Sequence, residues 1–202
     1  MREKTSSIIS YLFHPLLMPS MTFLIIYWQL PELIKPLTLV TLPFLFITTF
    51  IIPILSVAML KFSGSVTNFK LDKQEERVMP FSFVTVFYGL TTYLFVFKIQ
   101  VNEVFALLLI ATTLLVSVLT LITVWYKVSI HSAGISGVVG FFLAFGMRFP
   151  DSAVLYPLLV LLVVAGLVMS ARLKLNAHTP KEVLVGMLIG LTICFGTLYG
   201  FA

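Results

Sequence analysis

An all-α, polytopic bundle of six to seven membrane-spanning helices is the fold class this sequence predicts. Three observations carry that expectation. Of 202 residues, 59% are hydrophobic and only 10% charged, with a mean hydropathy of +1.09, whereas soluble domains run nearer ~25% charged. The apolar residues fall into seven runs of the length that crosses a bilayer, which takes about 20 residues per helix. Most of the charges, and two of the three histidines (His131 and His178), lie in the connections or at their edges. Hardly any chain remains for a soluble domain, so an integral, multi-pass membrane protein is expected.

In order, the runs cover residues 8–30, 37–60, 81–97, 104–126, 130–147, 153–169 and 183–202. They divide the chain into an N-terminal hydrophobic segment, 1–36, and a helical core, 37–202. The segment Met1-Arg2-Glu3-Lys4 before the first run resembles the start of a signal peptide. No small-residue cleavage site follows, and the run continues past Trp28, so it is expected to stay in the mature protein. Within that run, Phe13-His14-Pro15-Leu16-Leu17-Met18-Pro19 places an imidazole and two helix breakers where lipid is expected. A kinked span or a re-entrant segment would each accommodate them, hence the count of six to seven. His14 lines a groove or caps the broken turn, and a lone histidine favours the cap.

The stretch 61–80 is the most polar of the chain. Lys70 and Arg77 are seven residues apart, which places them near one face of a helix and roughly 10 Å apart along it. Asp72, Glu75 and Glu76 interleave with them, as in a solvated helix laced with ion pairs. The next polar connection, Lys127-Val128-Ser129-Ile130-His131, opens a run rich in small residues (Ala133, Gly134, Ser136, Gly137, Gly140) that allow close helix packing. His131 there is either part of a cap or sits beside backbone N–H groups that favour an anion. The last polar stretch, 170–182, carries Arg172, His178 and Glu182. If the turn after Pro180 opens a helix, His178 and Glu182 lie one turn apart, and the carboxylate holds the imidazole in one tautomer and raises its basicity. A surface loop with snorkelling cations is the plainer alternative.

These three stretches are separated by two spans each, so they emerge on one side of the membrane. Lys70, Arg77, Lys127 and Arg172 can then converge with His131, His178 and Glu182 around a phosphate: cations for its oxygens, one imidazole to attack phosphorus, one to protonate the leaving oxygen. No Asp/Glu cluster suited to magnesium accompanies them, so metal-free chemistry without a cofactor is expected. The single cysteine, Cys194, lies inside the last run, which excludes a disulfide framework or thiolate cluster. The net charge of +5 does not point to nucleic acid, because the cations flank apolar runs, where they set topology or bind anionic head groups of membrane lipids.

Lys70-x6-Arg77, Ser129-x-His131 and Arg172-x5-His178-x3-Glu182, in that order, resemble the signature motifs of the type 2 phosphatidic acid phosphatase (PAP2) superfamily. Those motifs read Lys-x6-Arg-Pro, Pro-Ser-Gly-His and Ser-Arg-x5-His-x3-Asp, and the similarity spans about residues 61–195. The resemblance implies a PAP2-like helical core and a divergent, bacterial-type enzyme of the inner (plasma) membrane. His178 would be the nucleophile that becomes phosphohistidine, Glu182 would orient it, and His131 would be the general acid. Lys70, Arg77 and Arg172 would hold the phosphate oxygens, joined by Ser129 and the backbone N–H at Ile130. The substrate would be a lipid phosphate or polyprenyl diphosphate. Departures are plain: Val78 and Met79 precede Pro80, Val128 and Ile130 replace proline and glycine, Ala171 separates Ser170 from Arg172, and Glu182 replaces aspartate.

Rival expectations are a silent lipid-phosphate binder on the same fold and a transporter. The transporter is disfavoured because the polar residues cluster at one interface. With seven spans, the cations outside the phosphate site number six on its face (Arg2, Lys4, Lys61, Lys73, Lys174, Lys181) against three opposite (Lys35, Lys98, Arg148), which points to a cytoplasmic site. With six spans the count becomes four against five and decides nothing. Tail identity and oligomeric state are not legible.

Overall fold

The computed structural model describes residues 3–31, 39, 41–68, 71, 74–150 and 153–201, which hold helices and no strand. Seven helical stretches are long and apolar enough to cross a membrane. That is the upper of the two expected counts.

The first of these, Glu3–Gln29, is broken in its middle. It comprises α1 (Glu3–Leu12), one 3-10 turn (Pro15–Leu17) and α2 (Met18–Gln29). Pro15 has no N–H and its ring clashes with a continuing helix, so His14 turns extended, at φ −66° and ψ 136°. His14 Nδ1 then accepts the freed N–H of Leu16 at 3.3 Å. Pro19 falls in the first turn of α2, where a missing donor costs little.

The chain resumes in α3 (Thr41–Phe46), which widens through a π segment (Ile47–Ile51) into α4 (Ile52–Phe62). Pro53, in the first turn of α4, removes the N–H that a regular helix would use there, a common cause of such widening. A 3-10 turn (Glu75–Arg77) leads into α5 (Val78–Tyr93), which ends in a second π segment (Leu94–Ile99). Gln100, left-handed at φ +57°, reverses the chain, and Asn102 caps α6 (Glu103–Thr123) by accepting the Val104 N–H at 2.9 Å. Two hydroxyl pairs, Thr85 with Thr120 at 2.9 Å and Thr92 with Thr113 at 2.8 Å, join α5 to α6. Such pairs serve between apolar helices because no water competes for them.

The remaining elements are α7 (Ile130–Arg148), α8 (Leu155–Lys174) and α9 (Pro180–Phe201). The core centres on α7: 72% of its most apolar window is buried, against 17–39% for the other six stretches. Its closest neighbour is α9, and the cause is missing side chains. A Cβ added at Gly186 would collide with the Ser129 carbonyl oxygen, and one at Gly190 with that of Ala133. These two glycines lie one turn apart, so α9 rides on the first turns of α7. Gly140 admits the Leu191 backbone in the same way, at 2.6 Å from an added Cβ. The phenylalanines Phe141, Phe142 and Phe145 of α7 fill the interior with Phe23 and Phe105. Trp28, Phe62, Val86, Leu121 and Val163 point outward, exposed, as lipid-facing residues do.

Candidate active site

The last polar stretch is shaped by two helix ends. Asn176, at φ +48°, stops α8 in the left-handed conformation that asparagine tolerates. The N–H groups of Asn176 and Ala177 close back on the carbonyls of Leu173 and Arg172 at 3.0 and 3.2 Å. Two residues on, Thr179 and Glu182 form a capping box. Glu182 N donates to Thr179 Oγ1 at 3.3 Å, and Thr179 N donates to Glu182 Oε2 at 3.4 Å. Pro180, as first residue of α9, completes that start. Glu182 is thereby fixed by the helix cap before it does anything else.

On this fixed carboxylate rests His178. Its Nδ1–H donates to Glu182 Oε2 at 2.7 Å, which leaves Nε2 as the bare nitrogen of the neutral ring. Burial lowers the His178 pKa from its ordinary value near 6.5. The Glu182 hydrogen bond and charge oppose that, the positive charges of Arg77 and Arg172 add to it, and the result is about 4. His178 is therefore neutral at pH 7, the form a nitrogen nucleophile requires.

Arg172, in the last turn of α8, reaches Ser10 Oγ of α1 at 3.4 Å through Nη1. Arg77 is buried at the start of α5. Its Nε donates to the Leu71 carbonyl at 2.7 Å and its Nη1 to that of Val128 at 3.3 Å, so it ties the first polar stretch to the second. His131, in the first turn of α7, donates from Nε2 to the Ser10 carbonyl at 3.2 Å, and its buried Nδ1 has no hydrogen-bond partner among the described residues. The His14 ring meets it edge-on, with centroids 5.4 Å apart and planes at 82°.

Arg77, His131, Arg172 and His178 line one cavity of about 660 Å³, with Ile130, Ser10 and His14 also in its wall. All three polar stretches thus contribute to a single site at one end of the bundle. The sequence left His14 between cap and groove, and it does both. Lys127 is half-buried but absent from the cavity wall. Ser129 is wholly buried, and its Oγ is engaged in capping α7, accepting from Ser132 Oγ at 2.9 Å and Ser132 N at 3.4 Å. Lys70 lies outside the described residues. Ser10 is the residue sequence reasoning missed: it touches two of the predicted groups and belongs to no motif. Among the described residues, no three His, Cys, Asp or Glu side chains gather as a metal site would need.

Residues 125–202 match the PAP2 superfamily. The match takes in His131, Arg172, His178 and Glu182, and leaves Arg77, Ser10 and His14 to the part of the chain before it. Neither a curated protein nor a solved structure matches this chain. The PAP2 match suggests a phosphatase, and the seven apolar stretches an integral membrane protein.

Proposed function

We propose that this protein is a metal-independent phosphatase that removes phosphate from a membrane lipid phosphate or isoprenoid diphosphate through a phosphohistidine. The observation that carries this reading is the 2.7 Å contact between His178 Nδ1 and Glu182, made beside two arginines and a second histidine in one cavity. Phosphate oxygens lie against Arg77 and Arg172, which neutralise charge as it develops. His178 Nε2 forms a bond to phosphorus while the bond to the ester oxygen breaks. His131, charged by a proton taken up when the phosphate anion enters beside it, passes that proton to the ester oxygen, and Glu182 balances the imidazolium formed at His178. Water then attacks phosphorus, gives a proton back to His131 and releases inorganic phosphate, restoring His178. In this scheme the arginines do the work that a metal ion does elsewhere. Lys70, Ser129 and the Ile130 N–H remain proposed phosphate contacts from the motif resemblance, and Lys127 from its place in the second polar stretch, with Ser129 needing to leave its cap partner.

One observation favours a second reading, a silent lipid-phosphate binder: the Nε2–H of His131 is spent on the Ser10 carbonyl. The test is phosphate release from lipid phosphates by the purified protein in EDTA, beside His178→Ala. Release that depends on His178 supports the phosphatase. No release from any substrate, with phosphate or vanadate still raising Tm, supports the binder.

A further inference from the structure

The cavity does not end at the polar cluster. It continues between α5, α6 and α7 along a wall that includes Phe81, Val84, Tyr88, Leu115 and Leu108. Its depth follows from the helix register. Gly137 of α7 faces Leu115 of α6, whose Cδ2 lies 3.1 Å from where a Cβ would stand. His131 lies six residues from Gly137 toward the polar end, and Leu108 seven residues from Leu115 the other way. At ~1.5 Å per residue, Leu108 is about 20 Å below His131. Two hydroxyls lie in this lower wall: that of Thr112 is satisfied by its own helix, donating to the Leu108 and Leu109 carbonyls at 3.0 Å each, and the other is the phenol of Tyr88. The slot is otherwise apolar, with cations at its mouth.

We infer that this slot holds the tail of the substrate, that it takes a hydrocarbon chain of about 16 carbons, and that Leu108 forms its floor. An extended chain advances ~1.2 Å per bond, so about 20 Å of depth holds about 16 carbons. The substrate class is therefore a lipid phosphate with a linear acyl or short isoprenoid chain of about that length, with its phosphorus at His178. The inference rests on the phosphatase reading for the position of the head group.

The test uses the full-length protein in bilayer nanodiscs, with n-alkyl monophosphates graded from about 8 to 22 carbons and the matching phosphonates. Phosphate release and the phosphonate-induced rise in Tm are both read against chain length. The expected result is an optimum near 16 carbons and a drop of about tenfold past it. Leu108→Trp should move the optimum to shorter chains and Leu108→Ala to longer ones, while Ile110→Ala on the exposed face leaves it in place. A flat dependence on chain length, or an optimum unmoved by both Leu108 variants, overturns the slot. A graded rise in Tm without phosphate release supports the slot and sinks the hydrolytic reading.

Discussion

Ser10 and His131, 121 residues apart in sequence, are joined by a 3.2 Å bond from the imidazole Nε2 to the serine carbonyl. The same serine takes Arg172 Nη1 on its hydroxyl at 3.4 Å. A phosphate entering the site competes with Ser10 for both donors. Ser10→Ala keeps the carbonyl and removes the hydroxyl, so inorganic phosphate should bind more tightly, by up to about tenfold for one net hydrogen bond. The inhibition constant for phosphate reads this directly, and unchanged or weaker inhibition would remove Ser10 from the site.

Glu182 has two duties that one substitution separates. Glutamine serves in a capping box as glutamate does, but it carries no charge to hold an imidazolium. Glu182→Gln should therefore leave Tm nearly unchanged and lower kcat by about 10²- to 10⁴-fold. Glu182→Ala should lose the same activity and also about 1 kcal/mol of stability. Equal loss of Tm in both variants would mean that the carboxylate is structural only.

The lowered pKa of His178 has a sign that can be checked. Between about 4 and 6.5 the folded protein keeps this ring neutral while the unfolded chain binds a proton. The unfolded state thus gains protons, and stability falls as pH drops through that window. Ring nitrogen shifts of His178 in the resting protein should titrate near 4, and Glu182→Gln should lower the midpoint further, because both Glu182 contributions raise it. A midpoint at or above 6.5 would contradict the site as described.

The α7–α9 seam makes a structural prediction. Gly190→Ala drives a methyl into the Ala133 carbonyl, whereas Gly166 of α8 has nothing within 4 Å of an added Cβ. Gly190→Ala should cost about 3 kcal/mol, at the top of the overpacking range, and should displace His178 and Glu182 relative to His131. Gly166→Ala should be neutral or slightly stabilising, as alanine suits a helix better than glycine. Thermal unfolding in detergent compares the two.

Much of this architecture was legible because lipid imposes a simple pattern. Apolar runs of spanning length and the polar connections between them set the spans, and an even number of spans put Arg77, His131 and His178 at one end. The His178–Glu182 pair follows from four-residue spacing next to a helix start. The capping box Thr179-x-x-Glu182 stood in the sequence unread. Ser129 misled in part, since a serine just before a helix caps it, and that is what its hydroxyl does here. Ser10 had no local signal at all: its contacts cross 121 and 162 residues and arise only when α1 docks beside α8. The break at His14 was visible in Pro15, but its ring beside His131 depended on tertiary packing.

Rapid quenching of turnover with substrate labelled at phosphorus, followed by mapping of the labelled residue, tests the nucleophile most directly. Label on the His178 ring, absent in His178→Ala, is the expected result. Continued phosphate release with no label on His178, or full turnover by His178→Ala, would contradict it.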